Sequence, residues 1–147
     1  MKCYAVFDTN VLISSLLTRH PDSATAVVVN MIADGVIIPL YNEEILTEYE
    51  EVLHREKFPF SEKNIQRLLR MIRQFGLAVS PSPTNEILPD MDDLVFYEVV
   101  MEKRDDDAYL ITGNIKYFPE RSFIVTPAEM LTILAHMSDQ ERKRPTC

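Results

Sequence analysis

The chain has 147 residues, 46% of them hydrophobic, which is enough for one domain to bury a core without disulfide support. Its net charge of −8 argues against a broad non-specific surface for nucleic acid, although a local basic patch is compatible with it. No run approaches the roughly 18 apolar residues of a membrane span, and the N-terminus lacks a signal peptide. With only Cys3 and Cys147 as cysteines, the sequence predicts a cytoplasmic protein with no membrane partner and no disulfide framework.

Short apolar runs alternate with helical patterns along the chain. The predicted strands are residues 3–7, 36–38, 77–79, 108–111 and 123–125, and the predicted helices are residues 11–19, 24–33, 42–58, 61–75, 94–103 and 127–136. No hairpin signal joins consecutive strands, so the expected fold class is α/β, a three-layer α/β/α arrangement around a central, mainly parallel five-stranded sheet. We expect one domain over residues 1–138 and a charged, frayed tail at 139–147.

Two of the predicted strands end in polar triplets. Asp8, Thr9 and Asn10 follow the first strand, and the sequence Thr-Gly-Asn at 112–114 follows the fourth. The carboxyl ends of parallel strands share one edge of a sheet, where open α/β folds bind their ligands. We therefore expect the two triplets to meet there, although Asp8 by itself is also explained as a helix N-cap.

Further carboxylates lie near the predicted helix starts and strand ends. Five glutamates occur between residues 43 and 51, Asp92 and Asp93 precede the fifth helix, and Asp107 precedes the fourth strand. Individually these acids fit helix caps or solvated turns. Collected at one sheet edge they would repel each other and raise their pKa values unless a cation neutralised them. Carboxylate and amide oxygens without nearby His or Cys suit Mg²⁺ or Mn²⁺.

Four segments, in this order, resemble one known family. They are DTNVL at 8–12, EEILTEYEEVL at 43–53, LPDMDDLVFYEVV at 88–100 and DAYLITGNIKYFP at 107–119. Together they resemble PIN-domain ribonucleases, specifically the bacterial branch of toxins from toxin–antitoxin pairs, over about residues 3–134. The resemblance implies hydrolysis of RNA phosphodiester bonds with one or two Mg²⁺ or Mn²⁺ ions, a homodimer, and an antitoxin protein as partner.

The resemblance also implies roles for individual residues. The implied catalytic residues are Asp8, Glu48, Asp93 and Asp107; the metal ligands are Asp8, Asp93, Asp107 and Asn114; the supporting residues are Thr9, Asn10, Asp92 and Thr112. Helical periodicity does not separate Glu48 from Glu50, so the choice of Glu48 rests on the resemblance alone. Many family members have aspartate where this chain has Asn114, and Asp107 is the residue expected to supply the missing charge.

An acidic pocket needs basic groups around it to accept RNA. Lys63, Arg67, Arg70 and Arg73 fall on one face of the fourth predicted helix. We predict that Arg67 and Arg70 contact phosphates, the alternative being an ordinary solvated face. Lys116, directly after the polar triplet at 112–114, is predicted to be the better single RNA contact.

Two other functions fit parts of the sequence. A haloacid-dehalogenase-type phosphohydrolase also begins with a strand ending in aspartate, but it needs a second aspartate at the position of Asn10. The other alternative is a PIN-like module that binds RNA or protein with a catalytically weakened pocket, for which Asn114 would be the symptom. Metal-dependent RNA cleavage by the pure protein, abolished in Asp8→Asn, distinguishes the ribonuclease from these alternatives.

Overall fold

The computed structural model describes residues 2–143 as a five-stranded sheet with helices on both faces. The strands are β1 Cys3–Phe7, β2 Ile37–Tyr41, β3 Leu77–Ala78, β4 Tyr109–Ile111 and β5 Ile124–Val125. The helices are α1 Thr9–Leu17, α2 Ala24–Ala33, α3 Glu43–Leu53, α4 Glu62–Phe75, α5 Leu94–Glu102 and α6 Pro127–Lys143. The strand order is β3-β2-β1-β4-β5 and every pairing is parallel. This confirms the predicted three-layer α/β/α fold.

The central strand β1 explains why the chain opens with an unbroken apolar run. It pairs with β2 on one side and β4 on the other, and helices cover both faces of the sheet, so Ala5, Val6 and Phe7 are all buried. Phe7 is in register with Ile111 of β4. The polar residues that follow these two strands therefore leave the sheet side by side.

The second strand is longer than its sequence indicates, because Pro39 lies inside β2 rather than ending it. The Pro39 carbonyl faces Gly76, on the side of the strand where β3 pairs. The N–H that proline lacks would point to that same side, and β3 pairs with β2 only from Leu40 onward. No ladder hydrogen bond is lost, so the proline is tolerated.

Two helices end at positions that differ from the prediction. α3 ends at Leu53 instead of residue 58, since the following turn is closed by hydrogen bonds from Arg55 N–H to the Val52 carbonyl (3.2 Å) and from Phe58 N–H to the Arg55 carbonyl (3.0 Å). A proline at position 59 also disfavours helical conformation in the residue before it. α6 continues to Lys143, past the predicted end at residue 136.

The loop from residue 79 to 90 carries the chain from β3 to the start of α5. Carboxylates on α5 hold it: Glu102 accepts a hydrogen bond from Ser82 N–H (3.1 Å), and Glu98 accepts one from Thr84 N–H (2.5 Å). The loop ends where the Asp90 side chain accepts from Asp92 N–H (3.0 Å) and starts a short 3₁₀ turn. These contacts set where Asp92 and Asp93 lie relative to the sheet.

The sequence also predicted no disulfide, a frayed C-terminal tail and no membrane span. The Cys3 thiol is buried and free, while Cys147 and the last part of the predicted tail, 144–147, lie outside the described residues. Over residues 2–143, no helix combines the length and the apolar composition needed to cross a membrane.

Candidate active site

Asp8 occupies the first position after β1 and is buried, with 6% of its surface exposed. It precedes α1, but its carboxylate makes no capping hydrogen bond to that helix. Its Oδ2 atom instead accepts from the hydroxyl of Thr112 (2.8 Å) and from the side-chain amide of Asn10 (3.0 Å). Side chains that follow two different strands thus orient the carboxylate, a role that helix capping alone does not explain.

The two polar triplets are joined as the parallel sheet predicts. Asn10 accepts a hydrogen bond from Gly113 N–H (3.0 Å) through its side-chain oxygen, and the Thr112 hydroxyl accepts one from Asn114 N–H (3.0 Å). The Thr9 hydroxyl is buried and has no hydrogen-bond partner among the described residues. A buried polar group without a partner is costly, so it marks a position where a ligand or water would be favoured.

Helix α3 is fastened to the same end of β1 by Tyr49. This side chain is 1% exposed, and its hydroxyl donates a hydrogen bond to the Phe7 carbonyl. Glu48, the preceding residue, is half-buried and lines the cleft beside Asp8. Glu50 lies on the other side of the helix, in a separate small cavity. The structure therefore separates the two glutamates that periodicity left equivalent and places Glu48 at the site.

The side chains meet in an open cleft of about 470 Å³ at the carboxyl edge of the sheet. Its acidic residues come from three parts of the chain: β1, α3 and the turn that precedes α5. Those with carboxylates are Asp8, Glu48, Asp90, Asp92 and Asp93, and the remaining lining residues are Thr9, Asn10, Val52, Arg55, Asn114 and Tyr117. Five carboxylates and one arginine in one cleft give it a strongly negative character.

Burial and mutual repulsion disfavour the ionised form of three of these acids. Desolvation raises the pKa of Asp8, and the hydrogen bond from Thr112 only partly offsets this. Desolvation, followed by the charges of Asp8 and its acidic neighbours, raises the pKa of Asp93 to about 7. Desolvation and nearby acids also raise the pKa of Glu48. Such a cluster is unfavourable when fully ionised and is relieved by a bound cation.

A family model for the PIN domain matches residues 4–116, which is most of the chain. The chain belongs to the PIN-domain family. PIN domains are typically nucleases that act on RNA, and they generally use divalent metal ions. Comparisons with curated proteins and with solved structures gave no match. The family assignment therefore fixes the general kind of activity, and the details rest on this chain's own residues.

The donor atoms of this PIN domain fit a hard divalent cation in kind. Carboxylates from Asp8, Glu48 and Asp93, the amide of Asn114 and the unpartnered Thr9 hydroxyl are all oxygen donors, as Mg²⁺ and Mn²⁺ prefer. Within residues 2–143, no three His, Cys, Asp or Glu side chains are already drawn together closely enough to hold an ion. An ion would therefore have to draw the acidic side chains inward.

The prediction that Asp107 supplies a fourth charge to this cleft is wrong because of where the residue lies. Asp107 precedes β4, five residues before Thr112, which corresponds to about 16 Å along the strand. It lies near the start of β1, where its charge adds to the effect of burial in raising the pKa of Cys3 to about 11. Asp107 is exposed with a positive φ of 58°, and it closes a turn at the opposite sheet edge.

The basic residues that the sequence predicted to contact RNA lie in two separate places. Arg67 and Arg70 are exposed on α4, as predicted, but the cavities they line share no residue with the acidic cleft. Their placement gives no support for a contact with RNA held at Asp8. Lys116 lies nearer, in the turn after Asn114, with its ammonium 5.5 Å from the ring centroid of Tyr117.

Asp90 and Tyr117 also line the cleft. Both stand in segments that carry the resemblance, Asp90 beside Asp92 and Tyr117 directly after Lys116. Arg55 is the charged lining residue that the sequence did not single out as a candidate. The available signal was its spacing of seven residues from Glu48, which places both residues on one face of the predicted helix.

Proposed function

We propose that this protein is a metal-dependent endoribonuclease that hydrolyses RNA phosphodiester bonds at the acidic cleft. The observation that carries the proposal is that Asp8, Glu48 and Asp93, from three separate elements, line one cleft at the carboxyl edge of the sheet. Their raised pKa values show that the arrangement is unfavourable without a positive partner. A divalent cation satisfies that requirement and can in turn bind the phosphate of an RNA substrate.

The side chains of the cleft have separate proposed roles in binding the metal ion and the phosphate. Asp8 would be the central ligand, because Thr112 and Asn10 fix the direction of its carboxylate. Glu48 and Asp93 would complete the ligand set from either side, with Asn114 as a neutral amide ligand. When bound, one or two Mg²⁺ or Mn²⁺ ions would activate water and neutralise charge on the phosphate. Thr9 and Asp92 line the same cleft and would orient solvent or the ligands.

The test is cleavage of a single-stranded RNA by the purified protein. We expect cleavage in Mn²⁺ or Mg²⁺ and none in EDTA, because the carboxylates cannot hold the phosphate by themselves. Glu48→Gln and Asp93→Asn should each lower the rate by about 10- to 100-fold. Asp107→Asn is the matched control: it makes the same carboxylate-to-amide change at the far sheet edge, where asparagine tolerates the positive φ, and its rate should stay within about twofold of wild type.

Two results would contradict the proposal. Cleavage that persists in EDTA would show that the reaction does not require a metal ion. Equal losses of rate in Asp107→Asn and Asp93→Asn would show that the acidic cleft is not the site. Absence of cleavage by wild type in either metal would leave the alternative of a PIN-like module that binds RNA or protein without turnover.

The resemblance to the toxin branch extends the proposal to a cellular role. In this role the protein is the toxin of a toxin–antitoxin pair, acts on RNA in the cytoplasm as a homodimer, and is neutralised by a bound antitoxin protein. Support comes from the four sequence segments that resemble that branch. Expression of wild type should arrest growth and expression of Asp8→Asn should not; growth arrest by both variants would contradict a toxin that acts through cleavage.

A further inference from the structure

The cleft presents an electrostatic difficulty for the proposed substrate. Five of its lining side chains are carboxylates, and an RNA backbone carries one negative charge per nucleotide. A bound cation offsets part of this repulsion at the ligands themselves. The phosphates on either side of the reacting bond need cationic partners from the protein.

Arg55 is the one basic residue that lines the cleft among the described residues. It also lines a second groove of about 580 Å³ that continues from the cleft along α3 between Glu51 and Met91. Its backbone is fixed by the two hydrogen bonds that end α3, to Val52 and from Phe58. The guanidinium group is therefore presented from a rigid turn at the junction of the two cavities.

The Arg55 side chain is exposed, and its positive charge partly offsets the upward shift in the pKa of Glu48. Although carboxylates surround it, it makes no hydrogen bond and no ion pair of 4.0 Å or less with any other described residue. A guanidinium has five N–H donors in a planar fork that matches two phosphate oxygens. An unpaired arginine of this kind is well suited to bind a phosphate that enters the acidic cleft.

Tyr117 lines the same cleft from the other side of Asp8. The sheet order places β1 between β2 and β4; Arg55 comes after β2 and α3, whereas Tyr117 comes after β4. The tyrosine ring is 40% exposed, yet its backbone is held by a hydrogen bond from its N–H to the Asn114 carbonyl (3.1 Å), and the next residue, Phe118, is buried. The ring is an accessible aromatic surface at the mouth of the cleft.

We propose that Arg55 and Tyr117 together bind one nucleotide of an unpaired RNA segment, with Arg55 on a phosphate and Tyr117 stacked against the base. The inference rests on the proposed ribonuclease function and adds two residues that position the RNA substrate. A base inside a duplex is already stacked and paired, so it cannot lie on Tyr117. Lys116 lies over one face of the ring, and the base would use the opposite face.

Binding to a fluorescent single-stranded RNA of about 12 nucleotides tests the proposal, with Asp8→Asn present in every protein and no metal added so that the RNA stays intact. Arg55→Gln should weaken binding about tenfold and reduce the slope of log K against log salt by about 0.7, the loss expected for one phosphate contact on a single strand. Arg55→Lys should keep the slope. Arg19→Gln is the matched control, because Arg19 is exposed and lines none of the cavities described above.

Tyr117 is tested with the same RNA and with its duplex form. Tyr117→Ala should weaken binding of the single strand about tenfold without changing the salt slope, and Tyr117→Phe should bind like the parent protein because stacking needs only the ring. Binding of the duplex should not respond to either change. Both residues are exposed, so unfolding midpoints of all variants should agree within a few degrees and exclude misfolding.

The outcomes separate this proposal from the one on which it rests. If wild type cleaves RNA with Mn²⁺ but Arg55→Gln has the same salt slope as Arg19→Gln, or Tyr117→Ala binds like Tyr117→Phe, the nucleotide site is wrong and the ribonuclease stands. If wild type cleaves RNA but the Asp8→Asn parent binds none, the nucleotide site is also wrong. If wild type does not cleave RNA and the Asp8→Asn parent does not bind it, both proposals fail.

Discussion

Replacement of Asp8 by asparagine should lower metal-dependent RNA cleavage by about 1000-fold while leaving the fold intact. Asparagine has nearly the same shape as aspartate, and its side-chain oxygen can still accept from the Thr112 hydroxyl and the Asn10 amide. What is lost is the negative charge at the most buried acidic position of the cleft. The measurement is the initial rate of RNA cleavage at saturating Mn²⁺, with circular dichroism as the check on folding.

The same substitution should raise the stability of the metal-free protein near neutral pH. Burial raises the pKa of Asp8 in the folded state above its unfolded value. A group with a raised pKa contributes stability that is present below the unfolded pKa and is lost as the pH rises through the folded pKa. In EDTA, wild type should therefore lose stability as the pH rises above about 4, the ordinary pKa of an aspartate, and Asp8→Asn should lose less.

Bound metal should reverse the order of stability of wild type and Asp8→Asn. An ion that binds only the folded state adds about 2.7 kcal/mol when its free concentration is 100 times its dissociation constant. Mn²⁺ should thus raise the unfolding midpoint of wild type and leave that of Asp8→Asn nearly unchanged. Asp8→Ala is the informative control: it should be as inactive, but less stable than Asp8→Asn, because the buried Thr112 hydroxyl loses its acceptor. Equal stabilisation of wild type and Asp8→Asn by Mn²⁺ would show that Asp8 is not a ligand.

The parts of the site that the sequence predicted are those set by strand topology. Once β1 and β4 are parallel neighbours, the residues after them must meet, and the contacts among Asp8, Asn10, Thr112 and Gly113 follow. Apolar runs bounded by polar residues were sufficient to find both strands. The same rule explains the error at Asp107, since a residue before a parallel strand lies at the other edge of the sheet.

The remaining parts depend on how helices pack, which local patterns do not encode. Glu48 and Glu50 flank the same apolar arc of α3, and only the packing of Tyr49 against the end of β1 decides which glutamate enters the cleft. The basic face of α4 was found correctly, yet its distance from the cleft follows from the packing of α4 against α2, α3 and β2. Arg55 lies in the turn after α3, and it lines the cleft together with Glu48 and Val52 of that helix.

Gly76→Ala should produce the opposite combination of effects, a large loss of stability with the chemistry of the cleft unchanged. Gly76 follows α4 with ordinary backbone angles, φ −93° and ψ 177°, so its requirement is for space rather than for conformation. A Cβ atom there would lie 2.6 Å from the Pro39 carbonyl oxygen and would also overlap the Ile72 carbonyl oxygen. Both obstacles are backbone atoms, in β2 and α4, and neither can move aside without shifting its element.

We expect Gly76→Ala to cost about 3 kcal/mol, a fall of about 10 °C in the unfolding midpoint for a domain of this size. Gly35→Ala is the matched control: no atom lies within 4 Å of a Cβ there, and only the positive φ of 75° is strained, so it should cost about 1 kcal/mol. At low temperature, where both variants are folded, their RNA cleavage rates per molecule should equal that of wild type. Asp8→Asn loses cleavage without losing stability, and Gly76→Ala loses stability without losing cleavage; a shared loss of cleavage in both would mean that the assay reports folding rather than the acidic cleft.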